Sequence, residues 1–244
     1  MKRFFAGLFV LILVLAQIGC AAPAADRSAN VDLNTAPQVS NDVKEPPESG
    51  SSDQDAGVEI KNYDELVIAL EDASVTKAHI SESLTIAPTQ EQTFEREGFL
   101  LTVDEGAEVM MENGFIPVFF GSEDTPGLVI DGTLKIAGTF DFGGITLLNN
   151  GMLEVLDGGT LAPGMSAIEN HGTILVDPGG IIRLERGTGL LNFAKLANLG
   201  EIEITSDGGS LNNTSGATLE NNGHITFRGD YQNEGTYTGT QQEP

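Results

Sequence analysis

The chain of 244 residues carries 36 acidic and 12 basic side chains, for a net charge of −24. A field of that sign repels nucleic acid and anionic lipid headgroups and attracts cations, so a nucleic-acid role is disfavoured. The single cysteine, Cys20, rules out an intrachain disulfide and any metal site built on several thiolates.

Lys2 and Arg3 open the chain, and an apolar stretch follows from Phe4 to Ile18, broken only by Gly7 and Gln17. Its length suits a secretory signal better than a membrane span. The run Leu15-Ala16-Gln17-Ile18-Gly19-Cys20 resembles a bacterial lipoprotein signal, in which the cysteine receives lipid and becomes the mature N-terminus. Ile18, Gly19 and Cys20 match that pattern, whereas Gln17 stands where a leucine is usual. The resemblance implies removal of residues 1–19, lipidation of Cys20 and attachment to the extracytoplasmic face of a bacterial cell membrane. Each buried methylene of the acyl chains adds ~0.8 kcal/mol to that attachment. The alternative is ordinary cleavage after Ala22-Pro23-Ala24, which discards Cys20 and releases the protein.

Residues 20–57 read as a tether. They are rich in Ala, Pro, Ser, Asp and Asn, hold seven acids and two bases, and lack an apolar pattern. Such a segment cannot bury enough apolar surface to offset ordering. As a flexible chain it spans about 35 Å.

Residues 58–86 read as an N-terminal cap with the first strands. Asn62-Tyr63-Asp64-Glu65 is a helix start in which Asn62 caps and Glu65 returns the bond, and Leu66, Ala69, Leu70 and Ala73 follow at helical spacing. The spacing predicts a helix over 62–73, followed by strand-like pieces carrying Ala78, Ile80, Leu84 and Ile86. A strand, a short amphipathic helix and then many short strands resemble the pectate-lyase-like β-helix superfamily. That resemblance implies an all-β, right-handed parallel β-helix whose first helix plugs the open end of the stack. A generic α+β start is the alternative.

The coils are expected over 87–240, with a tail at 241–244. A phrase recurs there on Gly151, Gly172, Gly200, Gly223 and Gly235. Two places before each stands Asn149, Asn170, Asn198, Asn221 or Asn233. Two before that stands Leu147, Ile168, Leu196, Leu219 or Tyr231. From Gly132 the spacings are 19, 21, 28 and 23 residues, close to solenoid periods, and the last is 12, the length of a half-turn. After each glycine the second and fourth positions are apolar, as in Leu153 and Val155 or Ile174 and Val176, so period two turns them inward. A second turn is marked by Gly158-Gly159, Gly179-Gly180 and Gly208-Gly209. Glycine supplies the positive φ of such turns. Coils stack about 4.8 Å apart, so the five asparagines are expected to form one amide ladder. The repeats also resemble those of bacterial surface adhesins with β-helical shafts, a structural likeness that carries no activity with it.

Function on such a scaffold lies on outward positions. Arg183, Glu185 and Arg186, with Asp177 nearby, form the densest mixed-charge group late in the chain. It is where a polysaccharide lyase would place its base and acids. The Arg- and His-centred motifs of pectate lyases are absent, and no tryptophan offers a platform for sugars. His79, His171 and His224 are too scattered for a metal site; no cofactor is expected, although the acidic surface allows calcium. Phe115, Phe119 and Phe120 are candidates for an exposed aromatic patch, with the core as the alternative. Arg228-Gly229-Asp230 is explained by a turn between coils.

The expectation is a surface-displayed lipoprotein with a non-catalytic β-helix for adhesion, envelope interaction or glycan contact. Its partners would be the membrane through the lipid, and a polysaccharide, peptidoglycan or another surface protein. An open C-terminal edge would also favour self-association. The alternatives are a polysaccharide-active enzyme on the same scaffold and a structural spacer.

Overall fold

A computed structural model describes residues 57–118, 120–122 and 125–240. The leader 1–19, Cys20, the tether up to residue 56 and the tail 241–244 lie outside the described residues. The described chain is a right-handed parallel β-helix with one short helix. Three parallel sheets of nine, eight and seven strands form its sides. One coil shows the plan: Thr146–Asn149 lies in the first sheet, Met152–Val155 in the second and Thr160–Gly164 in the third. The next coil repeats it with Ala167–Asn170, Thr173–Val176 and Ile181–Leu184. Each coil has three sides with short corners, where the glycine spacing marks at least two strands and two turns.

The alternation of buried and part-exposed residues inside each four-residue strand follows from the pleat, and it aligns like with like between coils. Leu134, Leu153, Ile174, Leu196 and Leu219 occupy one register line of the second sheet, each at most 1% exposed. Leu161, Ile182, Ile202 and Ile225 form another in the third. No coil closes a core alone, so the stack must fold and fail with its neighbours. Phe115 and Phe120 are buried in this core, which removes them from any surface patch; Phe119 is outside the described residues.

The first coil is closed by the helix Tyr63–Glu71. It is shorter than 62–73 because Asp72 takes an extended conformation and its carboxylate accepts from Ser74 N and Oγ, turning the chain. Ala73 is therefore exposed. Asn62 accepts from Glu65 N at 3.0 Å, while Glu65 reaches back one residue further than a capping box requires, to Lys61 N at 2.9 Å. Leu66, Ala69 and Leu70 pack into the same core as Ile80 and Ile86. The last helical turn has no basic residue of its own. Arg96, from the next coil, supplies the charge. Its guanidinium donates to the carbonyls of Leu70, Asp72 and Val75 and stands 5.3 Å from the centre of the Phe99 ring. These contacts satisfy orphan carbonyls and complement the helix dipole. Arg96→Met keeps the apolar stem and removes the donors. It is expected to cost about 2 kcal/mol and to raise amide exchange in residues 60–75 before any other segment. Uniform exchange across all coils would show that Arg96 does not hold the cap.

At the other end Tyr231, Tyr237 and Phe227 are half-buried and pack against the core, with Phe227 and Tyr231 rings 4.6 Å apart. The Tyr237 hydroxyl donates to Thr240 O at 2.8 Å and accepts from Asn221 Nδ2 at 3.0 Å.

The asparagines form two ladders rather than one. Asn149, Asn170, Asn192, Asn213 and Asn233 end successive strands of the first sheet, and each Nδ2 donates to the next Oδ1 at 2.7 Å. The members are 21, 22, 21 and 20 residues apart. Asn198 and Asn221 end strands of the second sheet and are linked at 2.8 Å. In every member but Asn233, Nδ2 also donates to a backbone carbonyl further along the chain, as Asn170 does to Lys195 O at 2.8 Å. Asn192 and Asn213 escaped the Asn-x-Gly phrase because Ala194 and Ser215 stand two residues after them. Asn198 entered it although it occupies the register line of Val155 and Val176. The 12-residue gap is the step from a second-sheet corner to a first-sheet corner.

The corner glycines also have another cause. Gly151, Gly172, Gly200, Gly223 and Gly235 do not have positive φ. A Cβ on Gly172 would stand 2.1 Å from Gly151 O in the coil beneath. Close backbone approach, not left-handed geometry, demands glycine there.

Candidate functional site: a groove on the third sheet

On the outer face of the third sheet, residues of successive coils stand beside each other. Val118, Gly143, Gly164 and Glu185 fall on one line. Asp141 pairs with Ala162 on the neighbouring line. Arg183 and Arg186 diverge from this region. Arg183 leans toward later coils and donates through Nε to Glu203, which holds its guanidinium more firmly protonated than usual. Arg186 leans toward earlier coils. Its Nε lies 3.1 Å from Glu185 Oε1 and its Nη2 lies 3.3 Å from Asp141 Oδ1.

Gly143 and Gly164 carry no side chain on this face, on the side of Arg186 toward the earlier coils. The result is a groove of about 490 Å³, lined by Ile116, Val118, Asp141, Gly143, Gly164, Met165 and Arg186. That volume falls within the range of small-ligand sites, about 300–1,000 Å³. The Arg186 guanidinium lies over Gly164, where a Cβ would stand 3.1 Å from its carbon, a tight contact that a small shift of the arginine would relieve. Met165 is 70% exposed. Met165 and Arg186 occupy the corner from the third to the first sheet in consecutive coils, with φ of 50° and 51°. The preceding coil has Gly144 at that corner, with φ of 66°. A left-handed conformation costs a non-glycine residue about 1–2 kcal/mol. Two successive coils thus hold strained side chains over the groove, and such strain concentrates where a site needs it.

The sequence-level charge cluster is only partly brought together. Glu185 and Arg186 are in contact, Arg183 turns away, and Asp177 lies at the corner before the strand Ile181–Leu184, at its other end from Arg186. Asp141 and Met165 belong to the site and were missed, since neither carries a motif and 45 residues separate Asp141 from Arg186. The stacking period of about two coils was the available signal. The histidines stay apart. His79 meets Asp104 at 2.7 Å, His171 stacks on Phe193 with ring centres 4.6 Å apart, and the His224 carbonyl accepts from Asn198. Among the described residues no group of three His, Cys, Asp or Glu side chains is placed to hold a metal ion. Among them, too, no helix is long and apolar enough to cross a membrane. Arg228-Gly229-Asp230 forms the last corner between the third and first sheets, where Gly229 lies against Gly209 O.

Comparison with protein families, with curated proteins and with solved structures finds no match to the chain.

Proposed function

We propose that the chain is a lipoprotein held by Cys20 at the outer face of a bacterial membrane, whose β-helix binds a glycan or an envelope component without cleaving it. The observation that carries this reading is the state of the two arginines. A lyase needs a side chain able to give up a proton and take one from the sugar. Arg183 is held protonated by Glu203, and Arg186 is held between Glu185 and Asp141. Arg186 thus meets the groove as a paired hydrogen-bond donor, which suits recognition. Beneath the groove the strands Thr139–Gly143 and Thr160–Gly164 pair along their whole length, which sets that floor before any ligand arrives.

The test uses the full chain in detergent against polysaccharides, peptidoglycan and matrix proteins, with products followed by chromatography. Retention without new products is expected. Shortened polysaccharide would overturn the non-catalytic reading, and no retention on any surface would leave a structural spacer. In a bacterial host, Cys20→Ser is expected to move the protein from the membrane to the soluble fraction; an unchanged distribution would overturn the lipid anchor.

A further inference from the structure

We infer that the groove over Gly143 and Gly164 takes an uncharged glycan, with Arg186 and Asp141 reading its hydroxyls; this rests on the binding function proposed above. The ligand class follows from what the groove offers. Arg186 is 49% and Asp141 42% exposed at the side chain, so both are paired yet still reachable. Nη1 of Arg186 has no hydrogen-bond partner among the described residues. A guanidinium fork beside a carboxylate presents donors and an acceptor a few ångströms apart. Vicinal sugar hydroxyls, each both donor and acceptor, match that pair. Met165, Ile116 and Val118 offer apolar surface to the C–H face of a pyranose.

Charge removes the other classes. A polyanion such as a uronate chain meets a protein of net charge −24, and Glu185 already lies against the one cation of the groove. A cationic ligand is drawn by the overall field and by Asp141 and Glu185, but it must displace the Arg186 guanidinium already paired with both. A neutral polyol has neither conflict. The left-handed conformations of Met165 and Arg186 fit the same reading. Glycine would relieve the strain at both corners, as Gly144 does one coil earlier, but would remove the apolar wall and the donor fork.

That geometry supplies a test separating binding from folding. The full chain is titrated calorimetrically with neutral gluco-, manno-, xylo- and N-acetylglucosamine oligomers and with oligogalacturonate. At least one neutral oligomer is expected to bind, and oligogalacturonate is not. Arg186→Gly and Met165→Gly are each expected to weaken that binding tenfold or more while leaving the melting temperature unchanged or higher. Neutral-oligomer affinity unaltered in both variants would overturn the groove assignment. Binding of oligogalacturonate alone would overturn the ligand class, as would failure of every neutral oligomer. In those last two cases, retention of the same chain on peptidoglycan or a matrix protein would leave the binding function standing, and its absence would remove both.

Discussion

Asn170→Leu is expected to destabilise the β-helix by about 3 kcal/mol or more, although leucine is of similar size and favours the core. Asn170 is fully buried, accepts from Asn149 Nδ2, and donates to Asn192 Oδ1 and Lys195 O. Leucine strips a partner from each of these three groups, and each orphaned buried polar group costs ~1–3 kcal/mol. The end of the second ladder provides the internal control. Asn198 Oδ1 already lacks a partner, because the residue beneath it is Val176. Asn198→Leu removes that orphan while leaving Asn221 Oδ1 and His224 O short of a donor. Its net loss is expected to be less than half that of Asn170→Leu in urea unfolding. Equal losses would mean that the amides act singly and that continuity of the ladder adds nothing. The same logic assigns Asn149 Oδ1, which faces Ile130, as the unsatisfied start of the first ladder.

Gly172→Ala is expected to be at least as damaging, for a steric reason. The new Cβ would stand 2.1 Å from Gly151 O and 2.7 Å from the carbonyl of Asn150, all backbone. Rotation of a side chain cannot relieve it. The corner is also pinned by hydrogen bonds, Gly172 N to Asn149 O and Lys195 N to Gly172 O. Separating the two coils would break backbone bonds on either side, so a loss of ~3 kcal/mol or more is expected. Gly187→Ala is the contrast. Gly187 has φ of +79° but nothing within 4 Å of its would-be Cβ, so only the conformational cost of ~1 kcal/mol applies. Thermal unfolding of the two variants should rank them in that order. The reverse ranking would show that left-handed strain, not close approach, is what glycine relieves in these corners.

Both expectations arise where the chain pattern was legible but its assignment to a side of the coil was not. Asn-x-Gly closes the first-sheet strands ending at Asn149, Asn170 and Asn233 and the second-sheet strands ending at Asn198 and Asn221. The local chemistry of the two corners is alike, because each turns an inward amide against a neighbouring coil and passes a backbone too close for a side chain. A motif of five residues reports that a corner is present; it does not count corners. Only the inter-coil pairing of Asn170 with Asn192 shows which corner is which.

The sequence by itself determined the all-β parallel β-helix, its inward aliphatic positions and the helix capped by Asn62. The alternation and the capping chemistry act over a few neighbouring residues, and the coil repeat shows as a phrase recurring at close to solenoid spacing. The tertiary structure alone decided the three-sided coil, the division of the asparagines into two ladders and the opposite leanings of Arg183 and Arg186. It alone brought Asp141 to Arg186 across Gly164. These depend on register between coils, where residues about one and two periods apart become neighbours, and a shift of a few residues in one corner changes which side chains meet.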